Sequence, residues 1–372
     1  MKKNIHIVSF DVPFPPNYGG VIDVFFKIKA LHKLGLNIIL HTFEYGKGKS
    51  KELEKYCEEI FYYKRSKSPL NLLSSKPFIV KSRSNSNLIK NLLKDQHPIL
   101  FEGLHTTYPL NDYDFKNRII LVRTHNIEHK YYLGLAKSES KLPRKSFFKQ
   151  EAKKLKSYEK ILQKATYILT ISPYEQRYFK NKFGDKAKYI PVFHKNNEVK
   201  NLSGKGKFAM YHGDLRVADN LKACKYLFEV FKDLEYPLVV AGSYAHPEIK
   251  NEIQLYKNIS FVKLDSSNKL EELFKETQVN VLPTFQKTGI KLKLIYALFQ
   301  SRFCIVNNAM VEDTGLENLC EIADCNNEFK EKIRWCFENE YGNDEIEKRK
   351  KALKQFDNQK NALKIINLIA NK

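Results

Sequence analysis

Thr288-Gly-Ile-Lys-Leu-Lys-Leu-Ile-Tyr-Ala-Leu298 follows a short apolar run, Val279-Asn-Val-Leu-Pro283, and opens an amphipathic one over 290–299. The first run reads as a buried strand and the second as a helix. A glycine at a strand-to-helix turn lets backbone N–H groups come close to a ligand, and a helix N-terminus favours negative charge. Lys291 and Lys293 fall in the first turn, where the helix dipole favours acids. Their placement makes sense if an external anion such as a diphosphate occupies the turn. The plainer reading is two solvated lysines on an ordinary helix.

The same strand-then-helix rhythm runs outward in both directions. Before residue 194, strands are expected at 5–10, 37–43, 99–101, 119–122, 167–171 and 189–192, with a short apolar run at 60–63. Helices are expected at 21–34, 86–94, 147–164 and 173–183, the last with Ser172 as N-cap and Pro173 in its first position. Residues 194–207 are polar and rich in Lys, Asn and Gly, and read as a linker. The rhythm then restarts, with strands at 208–211, 238–241, 259–262, 279–283 and 303–307. Helices are expected at 221–231, 247–255, 270–275 and 290–299, followed by a charged helical tail over 327–372. The fold class is therefore α/β, with two facing Rossmann-like domains at 1–193 and 208–345 and a terminal helix over 346–372 that packs back on the first. Ligands of such sheets bind at the carboxyl ends of the strands, here in an interdomain cleft.

Composition narrows the class. With 42% apolar and 13% aromatic residues in 372, the chain has material for two packed cores. No apolar run reaches the ~20 residues of a membrane span, and the N-terminus lacks the h-region of a signal peptide. The six cysteines show no C-x-x-C spacing, which fits a reducing cytoplasm. The net charge of +22 is unevenly placed: residues 1–200 carry 38 Lys and Arg against 18 Asp and Glu, the remainder 26 against 24. An excess confined to one half suggests an anionic partner there, a membrane surface or a phosphorylated acceptor, with plain solubility as the blander reading; no nucleic-acid module accompanies the charge, so nucleic acid is not expected.

Four further loops follow expected strands. Phe10-Asp-Val-Pro-Phe-Pro-Pro-Asn-Tyr-Gly-Gly20 places Gly19 and Gly20 just before a helix. Arg123-Thr-His-Asn-Ile-Glu-His129 puts His125 at a strand end, where it can bond a sugar hydroxyl; His125 and His129 are four apart, but no third metal ligand is apparent. Tyr211-His-Gly-Asp-Leu-Arg216 offers Gly213 for close approach to a phosphate and Arg216 to pair with it. Val239-Val-Ala-Gly242 ends on glycine. Gly48-Lys49-Ser50 fails as a phosphate loop, because Phe43 stands where the first glycine is needed. Asp112-Tyr-Asp114 reads as a turn, and no G-x-S-x-G elbow exists.

Taken in order, the Pro15-Pro-Asn-Tyr-Gly-Gly20 loop, Arg123-Thr-His-Asn126, Thr170-Ile-Ser172, His212-Gly213 and Gly289-Ile-Lys-Leu-Lys293 resemble the GT-B nucleotide-sugar glycosyltransferases, and more narrowly the retaining family 4 group. The resemblance implies a hexose-type sugar moved from a nucleotide-diphosphate sugar to a glycan or lipid-linked acceptor, with no metal or other cofactor. It places Gly19 and Gly20 at the donor phosphates or the acceptor, and His125 near the transferred sugar. It places Gly213, Arg216, Lys291 and Lys293 on the diphosphate, with Lys293 in a catalytic role. Gly242 and Lys263-Leu264 would line the nucleoside pocket. Where that group has two glutamates eight positions apart, this chain has Thr288 and Tyr296, and Asp214 stands where its phosphate-binding arginine is usual. The alternative implied is an inactive GT-B scaffold that binds a nucleotide or a partner.

Overall fold

The computed structural model describes residues 3–370 except Lys116, Thr288 and Ile290. The chain forms two compact units. One takes Met1–Lys195, Gly289 and Gln355–Lys372; the other takes Asn196–Lys287 and Lys291–Lys354.

The first unit is a seven-stranded sheet. Its strands are β1 (Asn4–Ser9), β2 (Asn37–Glu44), β3 (Glu59–Lys64), β4 (Ile99–Glu102), β5 (Ile120–Thr124), β6 (Tyr167–Thr170) and β7 (Ala187–Tyr189), in the order β3-β2-β1-β4-β5-β6-β7. Every pairing is parallel. Strand residues alternate between two faces, and both faces are apolar. Ile7, Leu40, Leu100, Leu121 and Leu169 pack with helix Gly19–Lys33 and with Ala362, Ile365 and Ile369 of helix Asn358–Ala370. Val8, Phe101, Val122 and Ile168 pack on the other side with Ala152, Leu155 and Tyr158 of helix Leu142–Tyr158. The return of the chain is fastened by Asn358, whose Nδ2 donates to the His194 carbonyl at 2.7 Å and whose Oδ1 accepts from His194 N at 3.2 Å.

The second unit repeats the plan with β8 (Phe208–His212), β9 (Leu238–Gly242), β10 (Ile259–Lys263), β11 (Thr277–Val281), β12 (Phe303–Val306) and β13 (Glu321–Ile322), ordered β10-β9-β8-β11-β12-β13 and again parallel throughout. The α/β expectation of two Rossmann-like sheets is met. In each, the strand order reverses direction beside the first strand, between β1 and β4 and between β8 and β11, which is where the loops part to admit a ligand.

Some local expectations are corrected. The basic helix expected over 147–164 begins earlier, at Leu142, and ends at Tyr158, with a 3₁₀ turn Glu159–Lys164 after it. Helix Glu128–Ser138, which packs against it, is hidden in the sequence by a mixed polar and aromatic pattern. The two-residue β13 is too short to leave a periodic trace.

A directional chain of polar side chains crosses β1, β2 and β3 of the first sheet. Asp95 accepts from His6 Nε2 at 2.9 Å, His6 Nδ1 meets His41 Nε2 at 2.8 Å, and His41 Nδ1 meets Tyr63 OH at 2.9 Å. Asn91 Nδ2 donates to the same hydroxyl at 3.0 Å. A carboxylate only accepts, so each proton is assigned in turn: His6 holds its proton on Nε2, His41 on Nε2, and Tyr63 donates to His41. Both rings are neutral in this arrangement. Burial lowers the pKa of each, assisted by Arg118 on both, by His97 on His6 and by Lys94 on His41, and opposed by Asp95 on His6. The unfolded chain protonates these rings near pH 6.5, whereas the folded one resists until lower pH, so stability is full above about 6.5 and is lost as pH falls below it. The melting temperature should therefore drop by a few degrees or more between about pH 7 and 5. A His41→Phe variant should lose part of that slope, and an identical slope in variant and parent would contradict this assignment.

Candidate functional site

In the second unit the reversal point brings the loop after β8 beside the loop after β11. The helix that follows β11 runs Leu292–Gln300 rather than from 290. Lys291 is its N-cap residue and Lys293 its second residue. No side chain caps this helix and no acid stands in its first turn, so its leading N–H groups and dipole are not offset by a local side chain. Lys293 turns back toward β8. Its Nζ donates to Asn220 Oδ1 at 2.8 Å and to Tyr211 OH at 3.1 Å, and lies 4.9 Å from the Tyr211 ring centre. Tyr211 donates in turn to Asn220 Oδ1 at 3.0 Å. These partners are neutral, and among the described residues no carboxylate forms an ion pair with Lys293. Burial pushes the ammonium down to about 8; Asp219 opposes this and Lys291 adds to it. Two of its three N–H donors are used, which leaves one for a ligand.

The loop itself is pinned by Asp219. Its Oδ2 accepts from Thr284 Oγ1 at 2.9 Å and its Oδ1 from Phe285 N at 3.1 Å. Gly213 sits against Asn220, where an added Cβ would meet the amide at 3.2 Å. At Gly242 a Cβ would lie 2.9 Å from the Gly213 carbonyl, so that glycine is required by backbone packing. Leu264 N donates to the Gly242 carbonyl at 3.0 Å, which joins the two stretches expected beside a nucleoside. Arg216 is exposed and forms a two-pronged pair with Asp214, both contacts 2.8 Å. Tyr296 is partly buried on helix Leu292–Gln300, and burial raises its hydroxyl pKa. Thr288 lies outside the described residues.

In the first unit the site is built on charge. Asp23, on helix Gly19–Lys33, accepts from Arg123 Nη2 at 2.8 Å and Nε at 3.0 Å, from Lys27 Nζ at 2.9 Å and from Phe193 N at 2.9 Å. Lys27 reaches on to Glu102 Oε1 at 2.7 Å, and Glu102 Oε2 meets His125 Nε2 at 3.1 Å. Asp23, Lys27, Glu102 and Arg123 are all fully buried. Burial alone would raise both acids, but Arg123 and Lys27 hold Asp23 well below the usual carboxylate range, and Lys27 and His125 hold Glu102 down. The acceptor-only carboxylate of Glu102 fixes the His125 proton on Nε2 and leaves Nδ1 as an acceptor in the neutral ring. Asp23, Glu102 and His125 hold ligand-type atoms within 4.8 Å of one another. Lys27 bridges two of these groups, so the chain's own ammonium already supplies the cation they would otherwise bind. His125 and His129 diverge, His129 facing Glu159 at 3.4 Å, and form no metal pair.

Gly19 and Gly20 open helix Gly19–Lys33, again without a side-chain cap or an acid in the first turn. A Cβ on Gly20 would press on the Phe10 ring at 2.6 Å, and that ring packs edge-on against His125 at 5.5 Å. Two buried acids beyond the expected set stand nearby. Glu128 is pushed up to about 8 by burial, Asn126 opposing and Glu175 adding, and its Oε1 has no partner among the described residues. Glu175 accepts from Gly289 N at 2.8 Å. Gly289 has φ +74°, and a Cβ there would lie 2.3 Å from Asn126 Oδ1, so glycine is needed for both reasons.

Sequence reasoning named His125 and Lys293 but not Asp23, Lys27, Glu102, Glu128 or Glu175 as site residues. The visible signal for the first two is an Asp and a Lys four apart on a helix face otherwise made of Val24, Ile28 and Leu31.

No protein-family model matches the chain. An uncharacterised 44.6 kDa protein in the cps region of Klebsiella pneumoniae is 25% identical over 348 residues, spanning 87% of this chain and 88% of that one. Among solved structures, a glycosyltransferase from Rickettsia africae superposes with TM-score 0.63 at 17% identity, over 100% of this chain and 98% of its own. TarM of S. aureus, in complex with fondaparinux, α-GlcNAc-glycerol and UDP, gives 0.65 at 13%, over 99% and 100%. HepE of Anabaena, in complex with UDP and glucose, gives 0.61 at 10%, over 99% and 98%. These likenesses establish the fold as GT-B.

Removing one partner from the buried network leaves charge uncompensated. Asp23→Asn should cost about 3–5 kcal/mol in urea unfolding. A loss below about 1 kcal/mol would show that Arg123 and Lys27 do not depend on it.

Proposed function

We propose that the protein is a glycosyltransferase. It moves a hexose-type sugar from a nucleotide-diphosphate sugar to a glycan or lipid-linked acceptor, with retention and without a metal, in cell-surface polysaccharide or glycolipid synthesis at the inner face of the membrane. One observation carries the reading: a partly buried Lys293 with no carboxylate partner among the described residues, at the uncapped start of a helix, at the strand-reversal point of a GT-B domain. A cation in that setting is completed by an anionic ligand. The UDP-glucose bound by HepE and the UDP bound by TarM support the class of donor. The relative in a cps region supports a capsule-type product.

In this reading the second unit binds the sugar donor and the first the acceptor. As the glycosidic bond breaks, the leaving diphosphate gains charge. Lys293, the N–H groups of the first turn and Lys291 stabilise it electrostatically. Arg216 joins them only by leaving Asp214. The acceptor hydroxyl enters on the face the leaving group vacates and passes its proton to the departing phosphate. His125, oriented by Glu102, offers Nδ1 to a hydroxyl of the transferred sugar. Gly213 and Gly242 leave room for the diphosphate and nucleoside.

Thr288 and Tyr296, in place of two acids, favour a second reading: a scaffold that binds nucleotide without turnover. A thermal-shift screen against UDP-, GDP- and ADP-sugars decides whether a donor binds, since a ligand of the native state raises its melting temperature. Hydrolysis or transfer in the same samples separates enzyme from scaffold. Lys293→Ala should lower turnover at least ~100-fold, the scale of one lost anion-stabilising donor, and unchanged transfer would exclude its role. Asn220→Asp should keep the fold and lower nucleotide affinity at least ~10-fold, because a carboxylate would then occupy the lysine. Equal affinity in that variant would show that the diphosphate binds elsewhere.

A further inference from the structure

Part of the excess positive charge of the first unit flanks an apolar projection. Residues 64–81 contain five Lys and Arg and no acid. Within them the turn Pro69–Leu73 holds Leu70, Leu72 and Leu73 outward, 73%, 44% and 83% exposed. The turn is built to do so. Asn71 is buried beneath it and donates to Ser66 Oγ at 3.0 Å, while Ser68 Oγ accepts from Leu70 N at 3.3 Å. Lys154 of helix Leu142–Tyr158 donates to the Leu72 carbonyl at 2.9 Å, and Phe78 N donates to Glu151 at 2.6 Å, which fixes the turn against that helix. Lys67 stands exposed two residues before the turn and Lys76, partly buried, three after it, while the helix beside it contributes Lys154. Its one acid, Glu151, is buried and spent on Phe78 and Lys154.

We propose that this surface docks the protein on an anionic lipid bilayer, the leucines entering the headgroup boundary and the lysines meeting lipid phosphates. Lysines alone would serve any polyanion, but exposed leucines held on a braced turn gain nothing from a soluble one. They gain from the apolar layer beneath a charged headgroup, which is the combination such interfacial anchors use. None of the described helices is long and apolar enough to cross a membrane, so attachment would be peripheral. The inference rests on the membrane location proposed above and not on donor or acceptor chemistry, so vesicle flotation can fail while the donor assays succeed.

The test is flotation of the full chain with phosphatidylcholine vesicles, with or without phosphatidylglycerol. At about 0.1 M salt the protein should float only with the anionic vesicles, and about 0.5 M salt should cut the bound fraction roughly tenfold. The triple variant Leu70→Ser, Leu72→Ser, Leu73→Ser should bind about tenfold more weakly with an unchanged melting temperature. As an independent readout, the Leu73→Trp variant should shift its indole emission to the blue on anionic vesicles and not on soluble polyphosphate. Binding that survives loss of the leucines, an equal emission shift of the Leu73→Trp variant with polyphosphate, or no binding to anionic vesicles would each overturn the proposal.

Discussion

The carboxylate of Asp23 organises the first unit. It is fully buried, and it is shared by Arg123, Lys27 and the backbone N–H of Phe193. Arg123 extends the tie to the carbonyls of Ile190, Pro191 and Thr170. One helix, one central strand and the segment leaving the last strand are thereby fixed in register. A buried charge network of this kind contributes little net stability, because desolvation offsets the attraction. What it supplies is geometry: Lys27 holds Glu102, and Glu102 holds the His125 ring in one tautomer at the end of β5.

Two lysines of the chain show how environment sets role. Lys27 lies wholly inside the protein between two carboxylates, and its charge is consumed structurally. Lys293 is placed beside a tyrosine and an asparagine, which solvate an ammonium without neutralising it. The same residue type is a fastening in one unit and an open electrostatic position in the other. The histidines divide similarly. His6 and His41 are locked in a neutral relay within β1 and β2, whereas His125 keeps one nitrogen outside its structural hydrogen bond.

Much of the fold was legible because its elements have strong periods. Val279–Val281 and the run after it change from strand to helix pattern at a glycine, and the observed β11 and helix Leu292–Gln300 follow that change closely. Residues 128–138 give no such signal, since Tyr131, Tyr132 and Leu133 do not form a clean stripe. In the site, Gly213, Gly242 and His125 could be nominated because they stand at or just beyond strand ends, where the ligands of such sheets bind. The buried partners could not. Asp23 and Lys27 leave only the trace of a charged pair among apolar helix residues, and only the fold brings Glu102 and Asp23 75 and 100 positions along the chain to Lys27 and Arg123. The exposed leucines were illegible for another reason: nothing in the sequence around Leu70, Leu72 and Leu73 marks a turn that faces outward.

The central claim is that an anionic ligand completes the charge of Lys293. The direct measurement is an NMR titration of the Lys293 amine in protein carrying ¹³C-labelled lysine, free and saturated with the nucleoside diphosphate that gives the largest thermal shift. The free amine should titrate near 8, and the bound amine at least about one unit higher, because a phosphate at its third N–H favours the charged form. A midpoint that stays near 8 in the saturated protein would contradict the claim and place the diphosphate away from this lysine.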